Sequence, residues 1–246
     1  MKIATYNIWD SEIGMPVRLR QLADELSKIK ADIVCLQEVS DEKNHSFSNL
    51  CGYDYAHWQS QTGLSILSRY PTDKIEHSEY SMSAYIQLEN KTLHVTNVHL
   101  PWESASLREK AIAGIVKNTS NIKADYAIIT GDFNCSENSS VHRFLTNEQS
   151  LLGADAYYFD LAEASAKMNG TKTSATLNFR ENPRWGIAEP ENTIEVNQRV
   201  DWILLKNPYP AKLPELKNCV LFGTEITKET GLAASDHYGV MIEIEF

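Results

Sequence analysis

Tyr126-Ala127-Ile128-Ile129-Thr130-Gly131-Asp132-Phe133-Asn134 is the stretch whose reading decides the fold. Its short, continuous apolar run predicts a strand buried on both faces, and it stops abruptly at Gly-Asp. Upstream, Leu93-His94-Val95-Thr96-Asn97-Val98-His99 alternates as a strand does. Between the two, Leu107, Ala111, Ile115 and Val116 recur at helical spacing, so a helix is expected over 104–118. The N-terminus repeats this order. Ile3 to Ile8 reads as a strand, and Leu19, Leu22, Ala23, Leu26 and Ile29 as a helix face. Ile33-Val34-Cys35-Leu36 then reads as a second buried strand, ending in Gln37-Glu38. Asn7 and His99 thus end the first strand of each unit, and Glu38 and Asp132 end the second. Polar groups just past the carboxyl ends of buried strands are where α/β folds place ligands.

The rest of the chain fits around these units. Short strands are expected at 53–58, 64–67, 75–80 and 85–88, a helix at 139–146, and strands at 200–205 and 240–246. The segment 177–198, with Pro183, Gly186 and Pro190, shows neither period and reads as a long loop. No shift in composition marks a boundary, so residues 1–246 are read as a single domain.

Asp and Glu outnumber Lys and Arg by 33 to 23, a net charge of −10. Such a surface repels phosphate backbones on average and disfavours non-specific coating of nucleic acid. The 4 cysteines form no C-x-x-C pair, which fits reduced thiols in the cytoplasm. The chain opens directly on strand-like sequence, without the apolar run of a signal peptide. No stretch is long and apolar enough to predict a membrane span, and no obligate protein partner is evident.

The chemistry sits in short motifs: Thr5-Tyr6-Asn7, Leu36-Gln37-Glu38-Val39, Asn97-Val98-His99-Leu100, Gly131-Asp132-Phe133-Asn134, Arg199-Val200-Asp201-Trp202-Ile203 and Ser235-Asp236-His237-Tyr238-Gly239. Singly each is a common pattern. In this order they resemble the endonuclease/exonuclease/phosphatase superfamily, in its DNase I-like branch with a His at position 99. The resemblance implies a four-layer α-β-β-α sandwich, with two mixed β-sheets packed face to face and helices outside. It implies hydrolysis of a phosphate ester by direct water attack with Mg²⁺, Mn²⁺ being a possible substitute. By the same resemblance Glu38 is the main metal ligand, with Asn7 beside it and Asp236 near the ion. Asp132 orients or deprotonates the attacking water, and Asn134 holds the scissile phosphate. His237, paired with Asp201, binds or protonates a phosphoryl oxygen, and His99 stabilises the pentacovalent transition state.

These residue types suit that chemistry. Anionic phosphoryl oxygens repel nucleophiles, so a divalent cation is needed to neutralise charge. Mg²⁺ takes one or two carboxylates and keeps several waters. A carboxylate facing a water can serve as base, and a His held by an Asp keeps one tautomer and a raised pKa.

The resemblance leaves the substrate open between a small phosphate ester and a nucleic acid, because one fold and centre serve many activities. Residues after Asn7 and at His99 depart from the abasic-site endonuclease pattern. The stretch Ser81-Met82-Ser83 supplies no evident acid to pair with His99. Trp9, Trp102 and Trp185 are candidates to line the pocket mouth, where aromatic walls suit a base, a sugar face or a lipid. Arg180 and Arg184 flank the same loop as candidate contacts to a second phosphate. Trp202, inside a strand, is assigned to the core, Cys135 is read as structural, and His142 receives no role.

Overall fold

Residues 1–40, 43, 47, 51–188 and 194–246 are described by a computed structural model. Its first sheet is built on β1 (Lys2–Asn7), β2 (Ile33–Gln37), β3 (Tyr55–Gln59), β4 (Leu64–Ser68), β11 (Glu215–Phe222) and β12 (Gly239–Glu245), in the order β11-β12-β1-β2-β4-β3. The second comprises β5 (Thr72–His77), β6 (Ser81–Gln87), β7 (Thr92–His99), β8 (Tyr126–Asp132), β9 (Tyr158–Asp160) and β10 (Asp201–Lys206), in the order β5-β6-β7-β8-β10-β9. Each sheet holds one parallel pair, β1 with β2 and β7 with β8. A helix links each pair: α1 (Val17–Ile29) in the first and α2 (Ala105–Asn118) in the second. These are the two strand–helix–strand units read from the sequence. The sheets pack face to face with helices on the outer faces, which is the expected four-layer α-β-β-α sandwich.

Strand alternation explains the layering. Ile3, Ile33, Cys35, Val95, Ile128 and Ile203 point inward and form the core between the sheets. Their sequence neighbours Ala4, Val34 and Leu36 point outward and pack with Leu22 and Leu26 of α1. On the other sheet Val98, Ile129, Trp202 and Leu204 pack with Ile112, Ile115 and Val116 of α2. Trp202 is therefore core, stacked on Phe133 with ring centroids 4.4 Å apart. Continuing the same alternation along each strand, Asn7, His99, Asp132 and Asp201 take inward positions. The inner face is apolar in the middle of the sandwich and polar at one end, and that end is the site.

Gly131 makes the approach of β7 and β8 possible just below Asp132. Its φ is +137°, and a Cβ there would lie 2.0 Å from the Val98 carbonyl oxygen. A side chain would therefore force the two strands apart where Val98 pairs with Gly131 and His99 with Asp132.

Several elements differ from the sequence expectation. On α2, which Ser104 caps through Leu107 N, Leu107 itself is exposed and Ile112 takes the buried position. The segment 177–198 contains a short helix, α5 (Pro183–Ala188), after α3 (Ser140–Leu145) and α4 (Leu161–Asn169). Its Leu177 also bridges to both Gln198 and His237; Pro190 lies outside the described residues. The sequence reading missed β9, α4 and β11. β11 is an edge strand, and Glu215, Lys217 and Asn218 stand exposed along it, so its apolar alternation is faint.

A buried ion cluster ties α3, α4 and β10 together. Asp160 caps α4 through Glu163 N, accepts from Arg199 Nη1 at 2.8 Å, and lies 2.9 Å from His142 Nε2. Burial alone would push the Asp160 carboxyl up, but His142 and Arg199 bring it down to about 2. A depressed carboxyl stabilises the fold above its unfolded pKa, near 4, and that contribution fades as pH falls toward 2. Asp160→Asn should therefore cost about 2 kcal/mol or more in urea unfolding at pH 7, with the gap to wild type narrowing between pH 4 and pH 2. An equal gap at both ends of that range would contradict this assignment.

Candidate active site

Asp132 stands at the centre of the polar end of the sandwich. Register fixes two of its neighbours: His99 lies beside it on β7 and Asp201 opposite it on β10. Its Oδ2 accepts from Asn7 Nδ2 at 3.0 Å, and its Oδ1 accepts from the Asn134 amide at 2.8 Å. The same Oδ2 lies 3.6 Å from His99 Nε2 and 3.9 Å from His237 Nε2. One buried carboxylate is thus framed by two imidazoles and two amides.

Asn7 bridges the two sheets. Its Nδ2 donates to Asp132 and also to Glu38 Oε1 at 3.0 Å, while its Oδ1 accepts from Trp9 N at 3.0 Å. Glu38 Oε2 accepts from the Asp10 amide at 2.8 Å. The loop leaving β1 therefore holds both Asn7 and Glu38. Trp9, Glu38 and Asn134 all carry a positive φ, between 50° and 58°, a region costly for non-glycine residues and enriched at functional sites. The carboxylates nearest His99 belong to these motifs, and β6 itself carries no acid. Besides Asp132, Glu38 Oε1 lies 4.0 Å from His99 Nε2.

His237 Nδ1 donates to Asp201 Oδ2 at 3.0 Å. Burial alone would lower the His237 pKa, but Asp201 and then Asp132 outweigh it and raise it well above the usual imidazole value. Burial and Asp132 also press the Asp201 carboxyl upward. With a carboxylate facing each ring nitrogen, the proton resides on the imidazole. Thr176 Oγ1 accepts from the amides of Val200 and Asp201 and fixes the acid from behind. Ser235 holds the loop, donating through Oγ to Asn7 O at 2.7 Å and accepting from His237 N.

Among the described residues two groupings offer acids to a cation, and the first is compact. In one, ligand atoms of Asp132, Asp201 and His237 lie within 4.8 Å of one another. It includes a protonated imidazole, and Asp201 Oδ2 is already taken by that ring, so a cation fits poorly there. The other is formed by Glu38 and Asp236. Burial and the charge of Glu38 push the Asp236 carboxyl up, and Asn7 adds an amide beside Glu38. Paired carboxylates that repel one another, with oxygen donors and partial exposure, suit a hard divalent ion.

The remaining candidates divide. Trp102 is 74% exposed, three residues beyond His99, and free to meet a ligand. Trp185 instead donates from Nε1 to Asp236 O at 2.9 Å, and Asn182 Nδ2 donates to the carbonyls of Ser235 and Asp236. The segment 177–198 therefore clamps the backbone that carries Asp236 and His237. Trp9 is held by the protein: the guanidinium carbons of Arg18 and Arg184 each lie 5.2 Å from its ring centroid. Arg184 is buried and donates to Ala233 O and Ile13 O, which commits it to these loops and not to the pocket mouth. Arg180 is exposed and donates to Glu195 O at 3.1 Å. Asn134 donates through Nδ2 to Leu100 O at 2.8 Å.

Sequence reasoning gave no role to Gln37 and Asn97. Gln37 Nε2 donates to Asn97 Oδ1 at 2.7 Å and to Thr5 Oγ1, and Asn97 Nδ2 donates to Leu36 O and Ser65 O. This buried polar layer joins the sheets directly beneath the site. Its signal was the Gln and Asn standing at inward positions within otherwise apolar strands.

A centre of this geometry on a four-layer sandwich defines a class of phosphoesterases and nucleases. The chain matches the Endonuclease/Exonuclease/phosphatase family over residues 4–237 and belongs to it. No curated protein matches the chain. Among solved structures it is similar to D. rerio TDP2 complexed with a single-strand DNA product, with a TM-score of 0.80 and 16% identity, covering 100% of this chain and 99% of that one. It is also similar to truncated Caenorhabditis elegans TDP2 (TM-score 0.75, 16% identity, 100% and 97% covered). A third is an endonuclease/exonuclease/phosphatase from Bacteroides vulgatus (TM-score 0.75, 14% identity, 100% and 98% covered). At these identities the likeness bears on the fold.

The dyad can be tested directly. In NMR titration of wild-type protein, His237 should remain protonated well above pH 7, and Asp201→Asn should move its titration to lower pH. Because the folded pKa is raised, the pair stabilises the fold at low pH and loses that contribution as pH rises through the folded value. A His237 that titrates near 6.5 in both proteins would contradict the assignment.

Proposed function

We propose that this chain is a Mg²⁺-dependent phosphoric ester hydrolase working by direct water attack, with Mn²⁺ able to substitute. Family membership supports a phosphoesterase or nuclease. The observation that carries the mechanism is the Asp132 carboxylate, held by Asn7 and the Asn134 amide between two imidazoles.

Glu38, Asp236 and Asn7 would hold the ion. Bound there, a divalent cation neutralises charge on the phosphoryl oxygens. Asp132 accepts the proton of the attacking water or orients it for in-line displacement. His237, kept cationic by Asp201, donates to a phosphoryl oxygen as negative charge builds up. His99, on the other side of Asp132, contributes a second donor to the transition state. Asn134 positions the phosphate from the end of β8.

A small phosphate ester suits the net charge of −10 better than an extended nucleic-acid footprint. A nucleic-acid end is the second reading, and the observation favouring it is the single-strand DNA product in the D. rerio TDP2 structure. Exposed Trp102 serves either as a stacking wall for a base or sugar. The four cysteines, all unpaired as thiols, support a reducing, cytoplasmic setting. No helix among the described residues is long and apolar enough to cross a membrane.

A panel of phosphomonoesters, phosphodiesters, DNA and RNA, assayed with Mg²⁺, Mn²⁺ and chelator, separates the substrate readings. On whichever ester is turned over, Asp132→Asn and His237→Ala should each lower kcat by about 10²–10⁴-fold, with unfolding midpoints close to wild type. Activity within tenfold of wild type in either variant would sink the mechanism. Trp102→Ala should raise KM about fivefold or more for substrates with an aromatic or sugar leaving group and leave kcat nearly unchanged. An unaltered KM and substrate preference would remove Trp102 from the binding site.

A further inference from the structure

The carbonyl oxygen of Trp9 takes two buried cations. It accepts from Arg18 Nη1 at 2.9 Å and from Lys43 Nζ at 3.1 Å, and also from the Ser11 amide at 2.9 Å. Arg18 is 0% exposed and Lys43 1%. Arg18 directs its other bonds to the carbonyls of Ile8 and Ser11, and Lys43 reaches the Asp10 carboxylate at 2.8 Å. Burying a cation is costly unless it is well paired, so two of them on one neutral carbonyl call for a reason beyond packing. The far side of the same peptide group supplies it. The Trp9–Asp10 bond is trans, so its C=O and N–H point to opposite sides. That N–H, on Asp10, donates to Glu38 Oε2 at 2.8 Å. The cations thus pull on the oxygen of one peptide and the carboxylate on its hydrogen, and hydrogen bonds in such a chain strengthen one another.

We propose that Lys43 and Arg18 are positioning residues that orient Glu38 for its metal ion through the Trp9–Asp10 peptide. Among the described residues no lysine or arginine forms an ion pair with Glu38. A lysine bonded to the carboxylate itself would compete with a divalent ion and cancel the charge that attracts it. Acting across a peptide, the two cations fix the carboxylate and leave its charge and remaining lone pairs to the ion. The same turn serves the neighbouring ligand. Trp9, at a φ of 58°, aims its own N–H at Asn7 Oδ1, and Asn7 Nδ2 holds Glu38 Oε1. Groups that act on a metal through its ligands typically change metal affinity by about 10–100-fold.

This assignment rests on Glu38 holding the ion, and calorimetric titration of Mn²⁺ into the metal-free full chain at fixed ionic strength separates the two. A site lost in Glu38→Ala is expected in wild type. Lys43→Met, which keeps the stem and removes the ammonium, should weaken Mn²⁺ binding about tenfold or more in the folded chain. Lys28→Met removes the same charge from an exposed position about 15 Å along α1 from Arg18, and should stay within about twofold of wild type. In metal-free protein the Asp10 amide proton should resonate downfield of its loop neighbours and move upfield in Lys43→Met, a change that general loss of stability would not produce. No Mn²⁺ binding to wild type, or unchanged binding in Glu38→Ala, would take the ion from Glu38 and overturn the proposal together with that reading. Wild-type affinity in folded Lys43→Met, with Glu38 still required, would overturn the positioning role alone. So would an equal loss in Lys28→Met, which would reduce the effect to net charge. If Lys43→Met does not fold, Lys43→Gln is titrated in its place, and a wild-type Asp10 amide without the downfield shift overturns the proposal by itself.

Discussion

The amide nitrogen of Asn7 touches a carboxylate from each sheet, Glu38 at 3.0 Å and Asp132 at 3.0 Å. The site exists only while the two sheets keep their spacing and stagger, because Asn7, Glu38, Asp236 and His237 come from one and His99, Asp132, Asn134 and Asp201 from the other. Hydrophobic packing between the sheets is non-directional and sets the distance but not the stagger. The stagger is set by directional bonds in the layer beneath, where Gln37 of β2 donates to Asn97 of β7, and Asn97 in turn donates to carbonyls of the first sheet. Burying two amides between sheets is costly unless their donors and acceptors are met. Here the cost falls next to the chemistry, where a fixed geometry matters most.

Alternation made much of this legible in the sequence. Once the strands ending at Asn7, His99 and Asp132 are recognised, period two places Asn7 on the face of Ile3, His99 on that of Val95 and Asp132 on that of Ile128. The two strand–helix–strand units, the layer order and the residues converging on Asp132 all follow from that rule. Local pattern could not show which residues meet across a long separation. His142 received no role because nothing near it in sequence marks Asp160 or Arg199 as its partners, and burial against Trp202 is a tertiary fact. β11 was invisible for a related reason: an edge strand with one open face carries charges where a central strand carries apolar residues.

The segment 177–198 shows how absence of periodicity can mislead. Its prolines and glycine read as a loop, yet what it contributes is a set of polar anchors. Asn182 and Trp185 grip the carbonyls of Ser235 and Asp236, and Leu177 pairs with His237. Such anchors need single residues at particular places and leave no repeat for a pattern to detect. Trp185, expected at the pocket mouth, bonds to Asp236 O, and Arg184, expected near a second phosphate, bonds to Ala233 O in the same loop.

Charge is the property whose meaning changes most between sequence and structure. A net charge of −10 suggests a molecule that repels phosphate. Around the site, however, cations are buried behind the acids. Arg18 donates to the carbonyls of Ile8 and Trp9 at 2.9 Å, Arg184 to those of Ala233 and Ile13, and Lys43 pairs with Asp10 at 2.8 Å. Arg18 and Arg184 are buried deeply enough that burial lowers both pKa values, Arg184 to about 10, and the charge of Asp236 works against that loss. Each of these cations bonds to a loop that carries Trp9, Asp10 or Asp236. Interactions in a low-dielectric interior reach further than those across salt water, so the field around Asp236 is governed by this local arrangement more than by the sum over the surface. The acidic surface then acts mainly at long range, where salt screens it, and the buried cations act at the site itself.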